Sequence, residues 1–226
     1  MNSILFLLAT LIVYMGAKKL YRRFPRVYLS PLLTTPLVLV IILLSMHVPY
    51  THYNEGGQWL SRLLQPATIA FAVPLYKNLK TLRKHAVEIV ASVLFGSIVA
   101  VSSSALLARL MHLNHDLMGS IIPRSITTPI AMNVSQAIGG VPTITAIFVI
   151  ITGLIGSMIG PYIVKWLRIE GEIARGILFG TAAHGTGTSK AFELSSLTGT
   201  ISSISMILSA LFTLAATPIL ALIMLP

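Results

Sequence analysis

Long apolar runs alternate with short polar or basic stretches along the whole chain. A helix of about 20 apolar residues crosses the hydrocarbon core of a bilayer. On that measure the runs 3–17, 29–46, 59–76, 87–110, 118–138, 141–166, 173–193 and 202–225 predict about eight membrane segments. The expected fold is an all-α polytopic membrane protein, a single integral membrane domain over 1–226. No secretory cleavage pattern follows the first run, which is succeeded by Lys18, Lys19, Arg22 and Arg23, so it is expected to stay as a span. Gly153, Gly156 and Gly160 stand at helical spacing in the run 141–166 and predict a smooth face for close helix packing.

Two runs break the apolar pattern. The run 118–138 contains Pro123-Arg124-Ser125-Ile126-Thr127-Thr128-Pro129-Ile130-Ala131. Pro129 lacks a backbone donor and clashes with the preceding turn, so a break is expected there, in the middle of a membrane-length segment. Backbone groups freed at that depth are tolerated only against protein or a wet cavity. Arg124 with the hydroxyls of Ser125, Thr127 and Thr128 beside such a break suits an anion. The bland alternative is a proline kink patched by threonine hydroxyls, with Arg124 reaching to the interface. Asn133 and Gln136 follow, placed either to orient a substrate or to bridge helices.

The run 173–193 contains Gly180-Thr181-Ala182-Ala183-His184-Gly185-Thr186-Gly187-Thr188-Ser189-Lys190. Glycine permits unusual backbone and close approach, so this stretch is expected to unwind. It would then present amides, hydroxyls and Lys190 to a carboxylate. An ionisable residue inside a membrane segment points to function; the alternative is a polar helix interface. A phosphate loop is not matched, because Thr186 stands where that motif needs Lys. A hydrolase using Ser189 or Ser125 with His184 is disfavoured, since His184 and Ser189 are off one helix face and no acid orients the His. Glu193 is placed to pair with Lys190 at i+3.

A weak internal repeat runs through the chain. Thr34-Thr35-Pro36 resembles Thr127-Thr128-Pro129, and Val93-Leu94-Phe95-Gly96 resembles Ile177-Leu178-Phe179-Gly180. Units 29–110 and 118–195 would then form an inverted repeat with broken or re-entrant helices, the pattern of secondary transporters. Thr34 and Thr35 become repeat-related site candidates.

Composition and charge narrow the class. The chain is 55% hydrophobic and 10% charged, with mean hydropathy +0.86, whereas a soluble domain carries roughly 25% charged residues. The net charge of +10 would suggest nucleic acid in a soluble protein. Here most of it sits in short loops, so no nucleic acid is expected. Segment 18–26 holds five cations and no acid, and segment 77–84 holds four and no acid. Both read as cytoplasmic loops that meet anionic lipid. The topology after Asp116 stays open. Loop 165–172 lies outside if every segment crosses, and inside if the Arg124 and His184 segments are re-entrant. Cysteine is absent. His112, His115 and Asp116 read as an exposed turn, and neither a metal nor a cofactor is expected.

The stretches 124–131, Ile138-Gly139-Gly140 and 180–188 together resemble the CidB/LrgB family, and the resemblance extends over nearly the whole chain. That family was named for antiholin-like proteins that affect murein hydrolase activity and lysis. Its relatives include the LrgB-like half of the plastid glycolate/glycerate translocator and bacterial proteins linked to pyruvate transport. The resemblance implies a multi-pass protein of the bacterial cytoplasmic membrane. It also implies a small LrgA/CidA-like membrane partner, a small carboxylate substrate, lipid contact, homo-oligomers and no enzymatic activity. Family members often carry acids where this chain has Asn133 and Gln136. On this reading Arg124 supplies a bidentate fork, Ser125, Thr127, Thr128, Thr186 and Thr188 supply hydroxyls, and His184 senses or carries a proton. Gly185 and Gly187 supply backbone freedom, with Asn133, Ser189 and Lys190 as further substrate contacts.

Overall fold

The structure is a computed structural model that describes residues 2–24, 29–63, 66 and 72–224. The middle of the expected third span and Arg26 of the first basic loop lie outside the described residues. The described chain is helical, and it divides into two compact units, Met1–Ala72 and Val73–Pro226. Among the described residues, four helices are long and apolar enough to cross a membrane: Ser3–Arg23, Ala86–Leu110, Pro142–Trp166 and Ser196–Leu220.

In the first unit, α1 (Asn2–Arg23) packs on α2 (Pro31–Ser45) and α3 (Tyr50–Arg62). The polar stretch 47–58, expected as a loop, is mostly the helix α3. Its Gly56 lets it lie against α1, where an added Cβ would come within 2.9 Å of Leu7 N and Phe6 Cβ. Tyr53 meets Phe6 edge-on and shares a 3.1 Å hydrogen bond with Thr10. These tertiary contacts order a segment whose composition alone reads as solvent-facing. Pro36 lies inside α2, and Thr34 donates to the Ser30 carbonyl at 3.1 Å. Thr35 is buried, and its Oγ1 has no hydrogen-bond partner among the described residues.

The second unit contains α4 (Ala72–Lys77), α5 (Leu79–Lys84), α6 (Ala86–Leu110), α7 (His115–Ile121), α8 (Thr128–Ala137), α9 (Pro142–Trp166), α10 (Glu172–Leu194) and α11 (Ser196–Met224). The basic segment 77–84 is thus largely helical. The last span starts at Ser196, six residues before the apolar pattern places it, because its polar first turn is buried rather than solvated: Thr198 and Thr200 are inaccessible.

The central feature is α10, which folds back on itself. A straight helix of 23 residues would measure about 34 Å, yet Ser195, just past its end, donates a hydrogen bond to Glu172 at its start. The bend is at His184 (φ 38°, ψ −124°). Two antiparallel halves result, 172–183 and 185–194. Gly180 on one half and Thr188 on the other both meet Ser202 of α11. Below them, Gly176 and Phe192 meet the Thr198–Ile201 turn. Phe179 and Ala191 are both fully buried in one cluster with Val164.

The segment 118–138 also turns back. The chain leaves helical geometry at Ile122–Thr127 and re-enters it as α8. The ends of this hairpin meet: a Cβ on Gly119 would lie 2.8 Å from Gly140 N, and Val141 N donates to Ser120 Oγ at 2.8 Å. Pro129 therefore does not break a helix interior as expected. It stands in the first turn of α8, where a missing donor costs nothing because that N–H has no partner within the helix.

The α9 helix links the two hairpins. Its start adjoins the base of the first, through Val141, and its end leads by a short turn to the base of the second. The glycine face expected from the sequence packs on α10: a Cβ on Gly156 would come 2.7 Å from Ala183 Cβ, and one on Gly160 3.0 Å from Phe179 Cζ. Phe179 is inaccessible. Phe179→Ala should lower stability by about 3–5 kcal/mol, read as a fall in melting temperature in detergent.

Candidate functional site

The His184 tip meets α9 at Val149, a residue that also belongs to the core cluster of the first hairpin. His184 is buried and donates from Nε2 to the Val149 carbonyl at 3.1 Å. Val149 in turn shares a core cluster with Ile122 and Ile126, which flank Arg124 and Ser125 at the other tip. Ala210 of α11 closes that cluster. Space for the His184 tip comes from Gly153, where an added Cβ would sit 2.6 Å from His184 Cε1. The two stretches singled out from the sequence are thus brought to one place by a third helix.

The first tip carries Arg124, partly buried, with no hydrogen bond or ion pair from its guanidinium among the described residues. Ser125 is buried, and its hydroxyl has no partner among the described residues. Thr127 caps α8 by position but makes no side-chain cap bond. Thr128 opens that helix, so the first amides of α8, its partly positive end, lie in the same turn as Arg124. Five donors in a fixed fork, a hydroxyl and an open helix start can hold a carboxylate.

The second tip differs from expectation in detail. The bend falls on His184 rather than on Gly185 or Gly187. A non-glycine residue at positive φ is uncommon and costs about 1–3 kcal/mol, which the bond to Val149 and burial offset. An added Cβ on Gly185 would meet nothing within 4 Å. Gly187 is needed for close approach instead: its Cβ would lie 2.6 Å from that of Ala183, across the bend. Thr186 donates to the Ala183 carbonyl at 3.0 Å. Ser189 is exposed and donates to Gly185 O at 3.2 Å. Lys190 pairs with Glu193 at 2.6 Å, as its spacing suggests.

Three sequence candidates stand apart from the tips. Thr188 is fully buried, and its hydroxyl is engaged by Ser202 at 2.9 Å. Asn133 and Gln136 are exposed on the outer side of α8, away from its buried residues Ala131, Val134 and Ser135. Sequence reasoning also passed over residues that shape the site. These are Val149, which offers only its carbonyl, and the buried hydroxyls of α11 at Ser202, Ser205 and Ser209. The latter had a visible signal, the density of Ser and Thr within an otherwise apolar span.

The LrgB-like family model matches residues 10–223. The chain belongs to the LrgB-like family. It is 60% identical over 218 residues to the uncharacterized protein YwbG of Bacillus subtilis, covering 96% of this chain and 97% of that one. It is 43% identical to YxaC of the same organism, over 92% and 90% of the two chains. It is 35% identical to the holin-like protein CidB of Staphylococcus aureus, over 98% and 97%. No solved structure matches. Family and helices together make it a multi-pass membrane protein.

Proposed function

We propose that this LrgB-like chain is the carrier component of a system for small monocarboxylates of the pyruvate, glycolate and lactate class. It would work with a small LrgA/CidA-like membrane protein in the bacterial cytoplasmic membrane. The observation that carries this reading is the pair of helical hairpins based at opposite ends of α9, with Val149 common to the His184 tip and the core cluster of the first hairpin. Broken helices that meet in mid-membrane are where secondary transporters hold substrate. Arg124, Ser125, Thr127 and Thr128 would take the carboxylate from one side, and His184, Gly185 and Thr186 would face it from the other. The sequence repeat over 29–110 and 118–195 is not matched element for element, since 93–96 lies in the unbroken α6 and 177–180 in the folded-back α10; copies of the chain would assemble through exposed apolar faces such as that of α6.

In the second unit this reading makes α6, α9 and α11 full spans and both hairpins re-entrant. The charge distribution supports it. Lys77, Lys80, Arg83, Lys84, Lys165, Arg168 and Arg175 all fall near the base of the α10 hairpin, which Asn78 joins through a 3.2 Å bond to Thr200. Only Arg109 stands at the far end of α6. That asymmetry is the one that orients cytoplasmic loops. Single cysteines are simple to read in a chain that has none. Arg168→Cys and Ser196→Cys should label from the same, cytoplasmic side. Labelling from opposite sides would mean that α10 crosses.

Saturable uptake of labelled pyruvate or glycolate into proteoliposomes, with this protein alone and with its LrgA-like partner, tests the carrier. The name of the Staphylococcus aureus relative, holin-like protein CidB, favours a second reading, a holin-like regulator of murein hydrolase export and lysis. Dye leakage without saturable uptake would select it.

A further inference from the structure

All six acidic residues, Glu55, Glu88, Asp116, Glu170, Glu172 and Glu193, are exposed. No carboxylate is therefore buried in the interior to carry a proton or to neutralise a cation there. Apart from His184, the buried polar side chains among the described residues are hydroxyls, and they concentrate where the α10 hairpin lies on α11. Thr188 and Ser202 share a 2.9 Å hydrogen bond and are both fully buried. Ser205, one turn further along α11, is inaccessible, and its Oγ has no hydrogen-bond partner among the described residues. An unpaired buried hydroxyl costs about 1–3 kcal/mol, so an orphan beside two other hydroxyls needs a reason.

The reason lies in what Ser205 faces. Its Cβ would touch a Cβ on Gly180 at 2.7 Å, so it packs on the last turn of the half-helix 172–183. The bend at His184 ends that half-helix inside the protein. Of its last carbonyls, that of Ala183 accepts from Thr186 Oγ1 at 3.0 Å, and the carbonyls of this last turn carry the negative end of the dipole. Neutral, hard oxygen ligands from hydroxyls and a half-helix C-terminus suit a hard monovalent cation and not a transition metal. Such ends, together with unwound carbonyls, coordinate sodium in carriers built from broken helices.

We propose that Thr188, Ser202 and Ser205, with the carbonyl end of the half-helix 172–183, form a site for a small alkali cation, sodium first. Its occupancy would tie the returning half 185–194 to α11, because Thr188 sits one turn past His184. A bound cation therefore holds the His184 tip closed on Val149. That the cation couples to substrate flux rests on the carrier reading above; that it binds does not.

The test is the melting temperature of the purified protein in sodium, potassium and choline chloride at equal ionic strength. It would be run on wild type, Ser205→Ala and Gly96→Ala, with sodium-titrated uptake in parallel. Wild type should melt several degrees higher in sodium than in choline. Ser205→Ala should fold, since it deletes an unpaired hydroxyl, and should need at least tenfold more sodium for the same rise. Gly96→Ala, whose added Cβ would meet Thr181 only at 3.9 Å, lies outside the site and should respond as wild type does. Equal melting of wild type in sodium and choline overturns the site, and so does a wild-type sodium response in Ser205→Ala. A sodium-dependent rise without saturable uptake leaves the site standing and removes the carrier reading instead.

Discussion

Arg124→Ala should abolish saturable carboxylate uptake while leaving the protein folded. Among the described residues the Arg124 guanidinium makes no hydrogen bond or ion pair, so the variant orphans no partner. Its loss falls on the ligand alone. Hydrogen bonds to charged groups contribute about 1.5–3 kcal/mol each, which is roughly 10- to 150-fold in affinity. A two-pronged contact lies at the upper end of that range. Arg124→Lys should recover part of the effect, because an ammonium keeps the charge and loses the planar fork. Uptake assays with a concentration series separate the outcomes. A raised KM in the lysine variant and loss in the alanine variant place Arg124 on the substrate. Wild-type kinetics in either would remove it from the site.

The second large effect is expected at Gly153, on the helix against which the His184 tip closes. A methyl there would sit 2.5 Å from Thr186 Oγ1 and 2.6 Å from His184 Cε1. Both are side-chain ends, so they can move, and the His184 bond to Val149 is what yields. Overpacking of this kind costs about 1–3 kcal/mol, too little to unfold a membrane domain but enough to detach a hairpin tip held by one side-chain bond. Gly153→Ala should therefore cut uptake at least tenfold with a small fall in melting temperature. Gly96→Ala is the matched control, since its Cβ would meet Thr181 only at 3.9 Å, an ordinary contact. Normal uptake in Gly153→Ala would mean that closure of the tip on Val149 is not needed for transport.

Both variants probe stretches that stood out before any coordinates. Arg124 in an apolar run and His184 among three glycines are local anomalies of composition, and such anomalies are readable along the chain. Their details were not. The bend in α10 was expected on its glycines and falls on His184, because the decision depends on the Val149 carbonyl and on the space above Gly153, both on another helix. Pro129 was expected inside a helix and begins one, because the turn at Ile122–Thr127 precedes it. Thr188 looked like a substrate hydroxyl; its distance to Ser202 could not be known until α10 was seen to fold back.

The sequence by itself determined the membrane class, the family, the basic end of the second unit and the two stretches that interrupt the apolar pattern. Each of these is set by composition or by the order of residues, and hydropathy and charge act without reference to distant contacts. Only the tertiary structure decided that 172–194 folds back as a hairpin rather than running straight, since a 23-residue segment has the length for either. The choice was made by Glu172 meeting Ser195, by Gly180 and Thr188 both meeting Ser202, and by the glycine face of α9 against Phe179 and Ala183. Those contacts join residues far apart in sequence, and no local pattern carries them.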